Sequence, residues 1–461
     1  MMPPTQSDPA PAANEFLGHP RGLAVLCATE CWERFSYYGN AALVVLYMMK
    51  YLFDPGRVEG VLGLGAVTAA LEFLFGRLEA QPLASQLFGF YTGLAYFTPI
   101  LGGLIADRLI GQRRTVIIGG LLMAAGHFMM AFESLFLVAL LALILGIGAF
   151  KPNISTQVGD LYPLGDARRD RAYSIFYLGI NIGAFLAPLV CGTLAVQYGW
   201  HYGFGAAGIG MLVGLGIYLA GTRTMPVDAP RAASVSRKPL TAAERRAMLG
   251  LIAAWVLVTL FWAAYDQQGN TILLWAEDFT DRSIDLHFWR GEIPSTWFLS
   301  LNPLMIFVLT PLIVRLWAWQ GPRQPLPISK MAFGCLCVAL ANLVLAAGAW
   351  SAAGKASVLW LVGYFTLATI GELYLAPVGL ALISRFAPPG MLSMMMGLWL
   401  ATTLPADILA GFLGGFWSRM AKTDFFLMIA LIAATAGAGL WAVQGAVIGP
   451  WRSQPSGVPD R

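Results

Sequence analysis

The chain has 461 residues, of which 57% are hydrophobic and only 12% charged, with a formal net charge of +4 and a mean hydropathy of +0.66. A soluble protein of this length carries about a quarter charged residues. A soluble globular domain is therefore excluded, and where the charges fall matters more than their sum.

The first residues, MMPPTQSDPAPAANEF, are polar and proline-rich and lack the apolar core of a cleavable signal peptide. Residues 1–20 read as a flexible tail. Twelve apolar segments follow, most of them approaching the roughly 20 residues a helix needs to cross a bilayer. The first six lie near 22–50, 84–107, 114–132, 135–157, 172–197 and 203–221. The second six lie near 247–276, 296–319, 329–350, 357–384, 392–417 and 425–447. Between the first two segments, residues 54–82 hold a helical apolar pattern too short and glycine-interrupted to span, which predicts a helix lying in the outer interface.

Residues 223–245 are polar and basic, and predict a linker between an N-terminal bundle (1–222) and a C-terminal bundle (246–461). The expected fold is an all-α polytopic membrane protein with two six-helix halves, the outline of a secondary transporter. Lysine and arginine bias sets the orientation. With the amino terminus inside, the inner loops hold Arg108, Arg113, Arg114, Arg168, Arg169, Arg171, the linker cations, Arg315, Arg323 and Lys330. The outer connections hold far fewer, such as Arg57, Arg77 and Lys355. Both termini are thus expected on the cytoplasmic side of the cell membrane. The five cysteines all lie in apolar segments, which suits buried small residues better than a disulfide framework.

The first span contains ECWERFSYYG, with Glu30, Glu33 and Arg34 among apolar neighbours. On a helix these residues share a face with Tyr37, Tyr38 and Ala41, at spacings of three and four. A charge at mid-membrane depth costs roughly 2.5–3.5 kcal/mol on insertion scales. Three on one stripe require mutual pairing and a protein-lined or wet interior. A carboxylate buried beside a cation titrates when that cation is drawn away, so the cluster reads as a proton site. Three further ionisable groups stand at membrane depth: Lys151 in GIGAFKPN, where Pro152 is free to break the helix, Asp266 in FWAAYDQQG and Glu372 in IGELYLAP.

ECWERFSYYG resembles the E-x-x-E-R-F-x-Y-Y-G signature of the proton-coupled oligopeptide transporters, within the major facilitator superfamily. GGLIADRLIGQRRT is similar to that superfamily's cytoplasmic loop motif, through Gly103, Asp107, Arg108, Gly111, Arg113 and Arg114. GIGAFKPNISTQVGDLY, FYLGINIGA, SLNPLMIFVLTP and GELYLAPVGL continue the resemblance in family order over nearly the whole chain. It implies proton coupling at Glu30, Glu33, Arg34 and Asp266, and a peptide carboxylate held by Arg34 and Lys151. It further implies an ammonium held by Asn181, Asn302 and Glu372, aromatic walls from Tyr37, Tyr38, Tyr96, Trp262 and Trp399, and a Lys151–Glu372 gate pair.

One position departs from the pattern: seven residues after Arg34 most relatives carry a second arginine that partners the helix-seven acid, and this chain has Ala41. That puts the outer gate in doubt. The expected function is proton-coupled import of di- and tripeptides by alternating access, by a monomer, with the proton as coupling ion and no cofactor, metal or nucleic acid. Two rivals stand beside it: a same-fold carrier of nitrate, another anion or a peptide-like drug, and a peptide sensor that does not transport. With no nucleophile–base pair, metal cluster or P-loop apparent, an enzyme is not expected.

Overall fold

The computed structural model describes residues 15–16, 18–163, 166–225, 242–286, 289–386 and 392–452. Most of the 1–20 tail and the centre of the linker, 226–241, lie outside the described residues. The first half contains α1 (Arg21–Tyr47), α2 (Leu64–Phe75), α3 (Ala80–Phe97), α4 (Pro99–Ile105), α5 (Gln112–Met129), α6 (Phe136–Asp160), α7 (Arg168–Tyr198) and α8 (Trp200–Gly221). The second contains α9 (Ala242–Tyr265), α10 (Thr271–Asp278), α11 (Leu301–Gln320), α12 (Pro327–Ser351), α13 (Val358–Phe386), α14 (Leu392–Ala401), α15 (Thr403–Gly414) and α16 (Lys422–Arg452).

Among the described residues nine helical segments are long and apolar enough to cross a membrane. The other three expected spans are helical too. In α1 the stripe of Glu30, Glu33 and Arg34 lowers the hydropathy, α5 opens on Gln112–Arg114, and the eleventh span is split into α14 and α15 at Thr402. Leucines such as Leu141, Leu212, Leu312 and Leu431 face outward, exposed. A helix that is apolar on its outer side as well as its inner side suits a hydrocarbon solvent.

Three discontinuities shape the interior. α3 and α4 form one span bent at Thr98, whose hydroxyl donates to the carbonyls of Leu94 and Ile144, both at 2.9 Å. α9 tightens into a 3-10 turn at Asp266–Gly269 and breaks at Asn270 before α10 resumes. Irregular backbone at membrane depth is tolerated where protein or a wet cavity satisfies it; here the Gln267 side chain donates to the Ala410 carbonyl at 2.9 Å. By contrast Pro152, expected to break its helix, lies inside a continuous α6. Proline removes the hydrogen bond to the carbonyl four residues back, and that carbonyl, Gly148, is covered instead by α4. A Cβ on Gly102 would stand 1.9 Å from it, so only glycine lets the two helices meet this closely.

The 54–82 connection does contain a helix too short to span, the 12-residue α2, bounded by Gly63 and Gly76, both at φ +78°. Phe75 at its end packs on Phe90 and Phe412. Within the first half α1 packs on α7 and α8, and α5 on α6; within the second, α12 lies between α13 and α16. The halves meet through α3 against α15 and through α7 against the turn that opens α11.

Hydrogen bonds between the halves gather at the end away from the linker. Gln81 donates to the Gly414 carbonyl at 2.9 Å, Ser85 to Asn270 at 2.9 Å and Ser300 to the Phe185 carbonyl at 2.7 Å. Trp297 donates to Thr193 at 2.9 Å, and Lys50 pairs with Asp278 at 2.5 Å. The chain is latched at this far end.

Candidate functional site

A cavity of about 280 Å³ lies between the halves. The first half contributes Tyr37, Tyr38, Ala41, Thr92, Tyr96 and Asn181 to its wall; the second contributes Trp262, Asp266, Asn302, Glu372 and Asp407. Apolar and aromatic faces with a few placed polar groups are the usual lining of a small-molecule site.

The α1 cluster is buried and internally paired. Glu30, Glu33 and Arg34 are each at most 2% exposed. Arg34 Nη2 donates to Glu33 Oε1 at 2.6 Å, its Nε donates to Glu33 Oε2, and Glu30 Oε1 lies 3.3 Å from the same Nε. Among the described residues the buried Glu30 Oε2 has no hydrogen-bond partner. One guanidinium thus holds two carboxylates, leaving the three-residue stripe with one net negative charge if both are ionised. Arg34 is not itself in the cavity wall; Tyr37, which is, has its ring 5.1 Å from the guanidinium.

Lys151 rests with its Nζ 3.9 Å from the centre of the Tyr96 ring, and Tyr96 lines the cavity. A desolvated ammonium over an aromatic face gains roughly 2 kcal/mol. Lys151 and Glu372 do not form an ion pair in this conformation, although the sequence suggested them as a gate. Each is held elsewhere, the lysine by Tyr96 and the glutamate by two donors of its own half.

The Glu372 environment is the most organised in the cavity. Tyr265 donates its hydroxyl proton to Glu372 Oε2 at 2.5 Å, and Asn302 Nδ2 donates to the same oxygen at 2.9 Å. Asn302 also lies 2.7 Å from the Tyr265 hydroxyl and 3.1 Å from Thr369. Both donors use Oε2. Among the described residues Oε1 has no hydrogen-bond partner, and Glu372 lines the cavity. An ionised carboxylate accepts on both oxygens, so Oε1 is the one available to a ligand cation.

Asn181 lines the cavity and donates its amide to the Tyr177 carbonyl, 2.9 Å away on its own helix. Trp262 stands edge-on to Tyr265, with ring centres 5.4 Å apart. Trp399 is buried against Gly379 of α13 and is not in the cavity wall. In the loop motif Gly111 adopts φ +82°, and Arg113 donates to the Thr222 carbonyl at 3.2 Å, tying the loop to the end of α8. Among the described residues no group of three or more His, Cys, Asp or Glu is placed to hold a metal ion.

The model of the POT family (PTR2) matches residues 113–242 and 227–430. The peptide transporter YePEPT of Yersinia enterocolitica is 34% identical, with 88% of this chain and 89% of that protein aligned. The chain belongs to the POT family. A di-/tripeptide transporter of Lactococcus lactis subsp. cremoris is 31% identical over 92% of this chain and 94% of that one. Among solved structures, a peptide transporter POT in complex with sulfate is similar at TM-score 0.83 and 31% identity, over 95% of this chain and 96% of that one. A POT family transporter in complex with 5-aminolevulinic acid is similar at TM-score 0.82 and 26% identity, covering 96% and 98%. The helices described above therefore build the two-bundle fold of this transporter family.

Sequence reasoning about this POT family chain missed two residues that the cavity uses. Tyr265 stands in FWAAYDQQG, beside two residues that were singled out, and its role emerges only once α13 brings Glu372 to it. Asp407 is the lone acid in TLPADILAGFLG, a membrane-depth carboxylate of the kind that signals a functional position.

Proposed function

We propose that the chain is a symporter that uses an inward proton gradient to take up di- and tripeptides across the cell membrane by alternating access, as a monomer with both termini on the cytoplasmic side. The observation that carries this reading is the charge layout of the cavity. A cation-accepting end is built from Glu372, fixed by Tyr265 and Asn302 with Oε1 left over. An anion-accepting group, Lys151, stands behind Tyr96 in the other half. A peptide carries one ammonium and one carboxylate, and binding both couples the two halves. Apolar and aromatic walls between the ends accept varied side chains.

In the cycle we infer, a proton entering at the Glu30–Glu33 pair releases part of the hold on Arg34. Arg34 and Lys151 then take the peptide carboxylate while Glu372 takes the ammonium. Proton and substrate favour the same closed state, so the gradient does work on the peptide. The family's named relatives support peptides as the solute class. A simple anion carrier fits less well, since a fixed carboxylate with a free oxygen would repel its solute. An enzyme fits least, because the family's named members are transporters.

The test is uptake of a radiolabelled dipeptide into proteoliposomes under an imposed pH gradient, with nitrate and an N-acetylated dipeptide as competitors. Competition by free dipeptides only is the expected result. Competition by nitrate as strong as that by dipeptide would replace this reading with anion transport.

A further inference from the structure

Asp407 of α15 is 4% exposed and lines the cavity between the halves. Asp266, on the 3-10 turn where α9 breaks and against which α15 packs, lines the same cavity wall, and the two carboxyl groups are close enough for one proton to bridge them. Two carboxylates make an unusual hydrogen-bonded pair. An ionised carboxylate only accepts, so a bond between two of them exists only when one carries a proton. Two like charges at that separation in a water-poor interior do not ionise together.

The groups facing the pair do not change this. Lys151 is the cation whose field reaches Asp407, and it sits on Tyr96 rather than in a described ion pair with either aspartate. Glu372, of the same sign, faces Asp266. The remaining titratable neighbours are the phenols of Tyr37 and Tyr38 on α1, Tyr96 on α3, Tyr265 on α9 and Tyr364 on α13. Ala41, on the facing helix and in the same cavity wall, supplies no charge.

The surroundings place the pair against the latch between the halves. A Cβ on Gly89 would lie 2.3 Å from the Asp407 carbonyl oxygen, and one on Gly93 would lie 3.2 Å from Asp407 Cβ. The two glycines of α3 thus let α15 approach until Asp407 stands in the cavity wall beside Asp266.

We propose that Asp266 and Asp407 form a single shared-proton site, an acid–carboxylate pair in which Asp407 does the work of the absent cation by holding the proton that Asp266 needs. This deepens the symport reading and rests on it for the link to transport. Loading the site places one proton between the two carboxyl groups. Unloading leaves two adjacent anions that separate, beside the α3–α15 contact. No bond other than O–H is made or broken, and the proton comes from and returns to water.

The test has two arms with different dependences. Infrared difference spectra of the purified, reconstituted full-length protein, taken across a pH titration, read protonated carboxyl groups without any transport. At a pH where the parent pair is loaded, Asp407→Asn and Asp266→Asn are each expected to lose one and the same carboxylic-acid band, any acid band of the remaining aspartate appearing only at lower pH, and Asp407→Glu is expected to restore a band at a shifted position. Persistence of the full band set in both asparagine variants overturns the proposal. The second arm is the pH profile of proton-driven dipeptide uptake. A lone Asp266 beside an amide needs more acid to load than a pair sharing a proton, so the Asp407→Asn profile moves to lower pH by about one unit or more. At a fixed pH above the parent's midpoint, that is about a tenfold loss per unit. A profile that overlays the parent's overturns the proposal. If the parent takes up no peptide, the symport reading fails, while the infrared arm still decides whether the pair holds a proton.

Discussion

Replacing Glu372 by glutamine isolates the charge at the cation-accepting end. The side chain keeps its length, and its amide oxygen in the place of Oε2 still accepts from Tyr265 and Asn302, the two donors now at 2.5 and 2.9 Å. What goes is the negative charge of the carboxylate, and an NH2 donor takes the place of Oε1. A hydrogen bond between charged partners contributes about 1.5–3 kcal/mol, equivalent to roughly 10- to 100-fold in affinity. Competition assays against a labelled dipeptide should therefore show free dipeptides weakened by that factor in Glu372→Gln. N-acetylated dipeptides, which present no ammonium, should change less than about threefold. Tyr265→Phe, which removes one neutral donor from Oε2, should fall between the two, near 1 kcal/mol. Equal losses for free and acetylated peptides would refute the assignment and leave Glu372 as part of the scaffold.

Three other outcomes follow from the same geometry. Glu33→Gln keeps a hydrogen-bond acceptor for Arg34 but no titratable proton, and should abolish uptake driven by a pH gradient while counterflow exchange persists; gradient-driven uptake at the parent level would contradict this. Ala41→Arg brings a guanidinium to the wall that holds Asp266 and Asp407, favours their ionised forms, and should move the pH optimum of uptake downward. That shift should vanish when both aspartates are asparagine, and its survival there would point to another group. Gly102→Ala drives a Cβ to 1.9 Å from the Gly148 carbonyl, so α4 and α6 must part at a cost of about 1–3 kcal/mol, read as a lower midpoint of thermal unfolding.

The spans were legible in the sequence because a bilayer imposes a length and a hydropathy that local composition reports directly. The α1 stripe was legible for the opposite reason: Glu30, Glu33 and Arg34 violate that composition, and helical spacing says they share a face. What the chain order hid is which membrane-depth group meets which. The resemblance implies a Lys151–Glu372 gate pair, whereas in this conformation Glu372 accepts from the neutral Tyr265 and Asn302 of its own half. Ala41 offers Asp266 no cation, and what the chain order hides is that a helix far along the chain places a second acid, Asp407, in the same cavity wall. Pro152 is free to break its helix on the sequence alone, and the packing of Gly102 over the freed Gly148 carbonyl lets the helix continue.

The most direct measurement of the central claim is accumulation of a labelled dipeptide by the purified protein in proteoliposomes under an inward proton gradient. Proton-coupled symport predicts accumulation above the external concentration that collapses on adding a protonophore and is competed by unlabelled free dipeptides. Uptake that stops at equilibration, or that proceeds unchanged without the gradient, would contradict it.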